Sequence, residues 1–358
     1  MRLHMTTPKA APKSADPLRR SPFMRACRRE PLPSPPVWLM RQAGRYMKEY
    51  REVRDRVGFL ELCRNPDLVA EVTVYAAQRL GVDAAIVFSD LLLPVESFGL
   101  RLAFEKGDGP SISPPIRSGA DVDRLREPEL EADLGYVFEG IRATRRALPA
   151  DMPLIGFAGA PFTLASYMIE GGGSSAYRHT KSLFYRDPGA WNALLARIVR
   201  LTSAYLNGQI AAGAQAVQIF DSWVGCLSPD DYRVFVLPHV RTLVAALTPG
   251  VPVILFGTQT TSLLPHFKTA GAGVVGVDWR VDLVEAWDRL GDVAIMGNLD
   301  PIVLFAPREE VVRRTKVLLG RASGRPGWIF NLGHGILPHT PVDNVVALVE
   351  TVHAWNGA

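Results

Sequence analysis

Two arginines, Arg41 and Arg45, stand four positions apart around Gly44 where the apolar run Val37-Trp38-Leu39-Met40 breaks off. A guanidinium presents a planar fork of donors that matches a carboxylate or phosphate, and a glycine lets backbone approach a ligand where a side chain would collide. The pattern describes an anion clamp at the mouth of a strand; a pair of surface arginines in a loop is the plainer alternative. Other residues of chemical use occupy similar positions. Asp90 comes soon after an apolar run ending at Phe88, Ser222 follows Phe220-Asp221, and His334 lies between Gly333 and Gly335. Asp90 and Ser222 read equally well as helix N-caps, and a lone histidine as a packing residue.

Such residues need elements to bring them together, and the sequence repeats one grammar: a short run of Val, Ile, Leu and Phe, then Gly, Asp, Asn or His, then a helix-like stretch. Eight runs follow it, at 37–40, 84–88, 154–157, 216–220, 253–256, 274–277, 293–296 and 328–330. Continuous apolar runs mark strands covered on both faces, and their alternation with helices marks parallel pairing. Eight of them predict an α/β fold, a single closed (β/α)₈ TIM barrel with its cleft at the C-terminal ends of the strands. There the loops gather at one face, so Arg41, Asp90, Ser222 and His334 share one mouth. An open doubly wound sheet is the rival, and no Gly-x-Gly-x-x-Gly turn or P-loop supports it.

The chain of 358 residues, 47% of them hydrophobic, is long for an ordinary domain and normal for one barrel. Residues 1–20 are expected to form a disordered extension, and 21–358 the barrel. The first 36 residues scatter Pro8, Pro12, Pro17, Pro22, Pro31, Pro33, Pro35 and Pro36 among Ala, Ser, Lys and Arg, with a short helix expected over 21–29. Basic and poor in acids, the opening also suits an organellar transit peptide, although it lacks an amphipathic period. Cys27, Cys63 and Cys226 are widely spaced, indicating neither a disulfide framework nor a zinc site. With no apolar stretch near the roughly 18 residues that span a bilayer, the expectation is a cytoplasmic, non-membrane protein. A formal charge of +4 favours an anionic partner, but 36 Asp and Glu against 40 Lys and Arg, without dense basic runs, argue for a small polyanion over nucleic acid.

Two long segments make the reading specific. Pro-Val-Trp-Leu-Met-Arg-Gln-Ala-Gly-Arg-Tyr at 36–46 and Gly-Phe-Ala-Gly-Ala-Pro-Phe-Thr-Leu-Ala-Ser-Tyr-Met-Ile-Glu-Gly-Gly-Gly-Ser at 156–174 resemble the signature segments of the uroporphyrinogen decarboxylase family. Phe-Ser-Asp at 88–90, Gly-Asn-Leu-Asp-Pro at 297–301 and Asn-Leu-Gly-His-Gly at 331–335 match its later strand ends, in order. The likeness runs from about residue 22 to the C-terminus. It implies a cofactor-free enzyme, usually a homodimer, that converts the four acetates of uroporphyrinogen III to methyls, giving coproporphyrinogen III in haem and chlorophyll synthesis. A pyrrole protonated on carbon accepts the electrons left by departing CO₂, so the substrate supplies its own electron sink.

The resemblance assigns Asp90 to the pyrrole N–H groups at the macrocycle centre. It makes Arg41 and Arg45 carboxylate binders, with Arg54 a further contact and Arg41 also a candidate proton donor. An unperturbed guanidinium, with a pKa above about 12, is poorly matched to acid catalysis, so electrostatic steering of another proton stays open. Tyr167 resembles the tyrosine that hydrogen-bonds the reacting acetate, Ser222 and His334 resemble carboxylate contacts, and Phe157 and Phe220 would wall the cleft. Tyr167 also reads as a packing tyrosine, His339 is less persuasive as a site residue, and Gly171 to Gly173 suggest a flexible turn. Two positions depart from the family pattern: Lys48, where proline is common, puts loop rigidity in doubt, and Asp221 replaces the glutamate of some relatives. Two alternatives are a corrinoid-linked zinc methyltransferase, requiring Cys and His ligands, and a tetrapyrrole carrier without activity.

Overall fold

The computed structural model describes residues 16–105, 109–322 and 324–356. Its nine strands are β1 (Ala85–Ile86), β2 (Arg101–Glu105), β3 (Gly109–Ser113), β4 (Leu154–Gly159), β5 (Ala216–Asp221), β6 (Val253–Gly257), β7 (Val274–Gly276), β8 (Ala294–Leu299) and β9 (Trp328–Leu332). Seven of them form one parallel sheet in the order β1-β4-β5-β6-β7-β8-β9. Every residue of β4, β6 and β8 is buried, as expected of strands covered on both faces.

Helices carry the chain back between strands, and local chemistry sets their ends. Before β1, the Asn65 side chain accepts the N–H groups of Asp67 and Leu68, both at 3.1 Å, and starts the helix Pro66–Leu80. Pro66 fits the first turn, where an N–H would have no partner.

The run at 37–40 departs from the expected eighth strand. It makes one parallel bridge, Val37 to Phe330 of β9, while Phe330 N–H donates to Pro36 C=O at 2.8 Å and Asp83 N–H donates to Val37 C=O at 2.8 Å. Side chains replace the remaining ladder: Val37 N–H donates to Asp83 Oδ2 at 2.7 Å and Met40 N–H to Asn331 Oδ1 at 3.3 Å. The chain then leaves the extended region at Arg41, whose φ is 62°. The sheet is therefore a curled seven-stranded one with this segment between its edges.

Register fixes which side chains face the hollow. Gly159, Phe220 and Phe256 are aligned across β4, β5 and β6, and Phe157 shares their face by alternation. Gln218, two residues before Phe220, reaches across to Met40 Sδ at 3.6 Å, which identifies that face as the inner one.

The antiparallel hairpin of β2 and β3 has no counterpart among the expected runs. Ile112 N–H donates to Gly171 C=O at 2.9 Å, binding the hairpin to the end of the helix Pro161–Glu170. Gly171, at φ 83°, caps that helix in the left-handed region, so the glycine turn has a helix-ending task. At the start, residues 1–15 of the expected disordered extension lie outside the described residues, and Pro17–Arg20 form a short helix capped by Asp16. The helix expected over 21–29 is Pro22–Cys27, which buries Phe23 and Ala26 completely. Among the described residues no helix is long and apolar enough to cross a membrane.

Candidate active site

Arg41 is the hub of the cleft mouth. Its left-handed backbone is unusual for a residue with a Cβ and is held by its surroundings. Gln42, fully buried, takes the N–H of Leu39 at 3.3 Å and donates to Ala84 C=O at 3.3 Å, while Tyr46 Oη donates to Gln42 C=O at 2.6 Å. Ile336 N–H donates to Met40 C=O at 2.9 Å, tying in the loop after β9. Gly335 packs on the arginine stem so closely that a Cβ there would sit 2.5 Å from Arg41 Cδ. The guanidinium remains reachable by water but lies in a concavity whose walls strip much of its hydration. That desolvation lowers its pKa; Asp90 opposes the shift, Arg45 adds to it, and Tyr167 opposes it.

Asp90, half-buried just beyond β1, has one oxygen spoken for: Leu92 N–H donates to Oδ1 at 2.8 Å. This bond closes the turn ahead of the helix Leu93–Glu96, whose N-cap is Leu92, so Asp90 is not the helix cap, and Oδ2 has no hydrogen-bond partner among the described residues. Burial pushes the carboxyl up to about 6, against the Leu92 hydrogen bond and the charge of Arg41. Tyr167 projects from the helix Pro161–Glu170 after β4, and burial, then the charge of Asp90, pushes its phenol up to about 12. Its ring stacks on Trp223 at 3.7 Å between centroids and 28° between planes, with Tyr177 braced edge-on against Trp223 at 5.3 Å.

Across the mouth, His334 follows β9 and is pushed down to about 4, first by burial and then by Arg41. It is therefore a neutral imidazole near pH 7 and meets an anion as a hydrogen-bond donor. Arg280 acts on it too; its guanidinium pairs with buried Asp278 at 2.8 Å and lies 4.0 Å from the Trp279 ring centroid. An aromatic wall links β4 to the histidine: Phe157–Phe220 at 5.5 Å, Phe220–Phe256 at 5.9 Å and Phe256–His334 at 6.4 Å. An edge-to-face aromatic wall flanked by cations and one carboxylate suits a polyanion with an apolar body.

The structure brings Arg41, Asp90, Tyr167 and His334 to one mouth, lined by Phe157 and Phe220, with Arg45 exposed beside Arg41. Ser222 lies just past β5, its carbonyl accepting the Thr258 hydroxyl at 2.5 Å. Arg54 donates to Val57 C=O and rests 5.6 Å from the Phe59 ring centroid. Lys48 opens the helix Lys48–Arg56, where proline is equally at home, and pairs with Glu52 at 3.4 Å. Trp223, Tyr177, Gln42 and Arg280 escaped the sequence reading. The first motif contained Gln42, but an amide between two arginines gives no sign of burial. Among the described residues no three His, Cys, Asp or Glu side chains are grouped to hold a metal ion.

Comparison with known proteins follows the same lines. The family model described as uroporphyrinogen decarboxylase (URO-D) matches residues 18–355. A protein from Sorangium cellulosum named uroporphyrinogen decarboxylase is 55% identical over 334 residues, covering 93% of this chain and 95% of its own. One of the same name from Koribacter versatilis is 53% identical, covering 93% and 96%. Among solved structures, a methyltransferase from Methanosarcina mazei superposes with a TM-score of 0.78 at 22% identity, covering 92% of this chain and 97% of that one, a likeness of fold.

Proposed function

Because the chain belongs to the uroporphyrinogen decarboxylase family, it is a carboxy-lyase of tetrapyrrole biosynthesis, and we propose that it removes the acetate carboxylates of uroporphyrinogen through Asp90, Arg41 and Tyr167. The observation that carries the assignment of roles is the meeting of these three side chains, from the turn after the 37–40 run, the loop after β1 and the helix after β4, beside an aromatic wall.

The chemistry sets what each group does. Protonation of the pyrrole carbon next to the one bearing the acetate makes a ring cation that is delocalised onto the acetate-bearing carbon. The bond to the carboxylate then breaks, CO₂ leaves, and its electron pair neutralises that cation. A proton delivered to the new methylene gives the methyl, and loss of the ring proton restores the pyrrole. Asp90 is ionised above about pH 6, so it stabilises the cation while its free oxygen accepts pyrrole N–H groups. Arg41 and Arg45 hold acetate and propionate carboxylates, with Arg41 steering the proton electrostatically. Tyr167, protonated at any physiological pH, donates to the reacting acetate. His334 and Ser222 donate to outer carboxylates, and Phe157 and Phe220 carry the macrocycle. Arg54 supports the loop it contacts. The protonated ring is the electron sink, so the scheme calls for no cofactor.

In this reading the segment at 37–40 completes an eight-stranded barrel between β9 and β1, and two copies pair as a homodimer. The test is anaerobic incubation of chelator-treated protein with uroporphyrinogen, following carboxylate number by chromatography. Stepwise loss of four carboxylates is expected. Unchanged octacarboxylate, or turnover that needs added metal, refutes the proposal.

A further inference from the structure

We propose that Asp221 and Thr163 are positioning residues for Tyr167, acting through Trp223; the inference rests on the role given above to Tyr167. Asp221 ends β5, is fully buried and, by alternation from cleft-facing Phe220, points away from the cleft toward the helix Pro161–Glu170. There its Oδ1 accepts the Thr163 hydroxyl at 2.7 Å, while Oδ2 is buried without a hydrogen-bond partner among the described residues. A buried carboxyl with an idle oxygen is a poor way to fill a core, so packing alone does not account for it.

The hydroxyl explains its value. It has one proton, and giving that proton to Asp221 leaves its lone pairs to accept. Trp223 N–H donates to Thr163 Oγ1 at 3.3 Å. The carboxylate thus fixes the direction of the bridging hydroxyl, and the bridge fixes the backbone of Trp223. The Trp223 ring in turn stacks on Tyr167 at 3.7 Å. Tyr167 lies four residues after Thr163, one turn along the same helix. The chain of contacts therefore closes on itself: helix, strand, turn, ring and helix again. The other groups acting around Asp221 are the buried Tyr232 phenol and the Cys226 thiol, whose own carbonyl takes Lys181 Nζ at 2.6 Å. Burial pushes the Asp221 carboxyl up to about 7 against the hold of Thr163. That shift accords with a group kept dry behind the cleft.

The experiment compares Thr163→Val, which keeps shape and loses the hydroxyl, with Thr163→Ser, which keeps the hydroxyl. Steady-state decarboxylation gives kcat and KM, and near-ultraviolet circular dichroism reports the Trp223–Tyr167 stack. Loss of one buried hydrogen bond should lower kcat about tenfold in Thr163→Val with KM changed by less than about twofold. Serine should restore both kcat and the spectral signal. Wild-type kcat and spectrum in the valine variant, or equal damage in valine and serine variants, would overturn the proposal. Should valine prevent folding, Trp223→Leu at a half-buried position removes the stack directly, and wild-type kcat there overturns it equally. Tyr167→Phe separates the two readings: full kcat in that variant with the spectrum still altered in Thr163→Val removes the role of Tyr167 while the anchor stands.

Discussion

Replacing Asp90 by asparagine is expected to make the protein harder to unfold while removing most of its turnover. The Asp90 carboxyl is raised from 3.8 to about 6, chiefly by burial. A group whose folded pKa lies above its unfolded value stabilises the fold when protonated, fully so below about pH 4, and that contribution is lost as pH rises through about 6. A shift of roughly two units corresponds to about 3 kcal/mol at neutral pH as an upper bound. Asparagine has no proton to lose, and its Oδ1 can still accept from Leu92 N–H. At roughly 2 cal/mol/K per residue the unfolding entropy converts this to a rise in Tm of up to about 4 °C. Turnover should fall on the order of a thousandfold, since opposite charges about 4 Å apart attract by roughly 4 kcal/mol at an effective dielectric near 20. Calorimetry of both proteins at pH 5 and pH 8, beside the decarboxylation assay, measures everything required. The gain in Tm should be largest at pH 8 and shrink toward pH 5. A loss of Tm that does not vary with pH would refute the account of Asp90, as would turnover near the wild-type level.

For the same reason kcat/KM should fall on the acid side with a midpoint near pH 6, and a pH profile flat between 5 and 8 would count against an ionised Asp90 as the working form. Gly335→Ala would place a methyl 2.5 Å from Arg41 Cδ. It should raise KM several-fold, on the order of 1 kcal/mol of lost binding, with little change in Tm, and an unaltered KM would show that the arginine stem has room to move. Arg45→Ala should weaken binding and flatten its salt dependence, because an exposed charge acts through screened attraction; equal salt slopes in variant and parent would contradict the clamp. His334→Gln keeps a neutral donor and should leave the acid limb of the pH profile where it was, whereas a displaced limb would mean that the imidazole titrates in the working range.

The sequence was most legible where one physical rule acts alone. Runs such as 154–157 and 253–256 are apolar because both faces of those strands are covered, and each became a strand. Strand-end logic likewise placed Asp90, Arg41 and His334 together, since a parallel sheet with connecting helices puts those loops on one side. The run at 37–40 was equally apolar, yet Asp83 and Asn331 side chains take the hydrogen bonds that a longer ladder would use, and no local signal shows that exchange. Trp223 was invisible because its importance lies in a stack formed across a turn. Arg54 lies outside the matched segments; one of its guanidinium nitrogens donates to the Val57 carbonyl and the group rests by the Phe59 ring, contacts that no local pattern announces.

The join between Val37 and Phe330 has a consequence for how activity appears during synthesis. A chain made from its N-terminus exposes Arg41 early, while the partners that pin it, Phe330, Asn331 and Gly335, emerge almost last. Given the role proposed for Arg41, a ribosomal product cut short before that point lacks the partners that seat this residue and is expected to be catalytically silent. Under that proposal turnover doubles as a completeness check, with the first decarboxylation expected only once the 37–41 segment and the 330–335 segment have met.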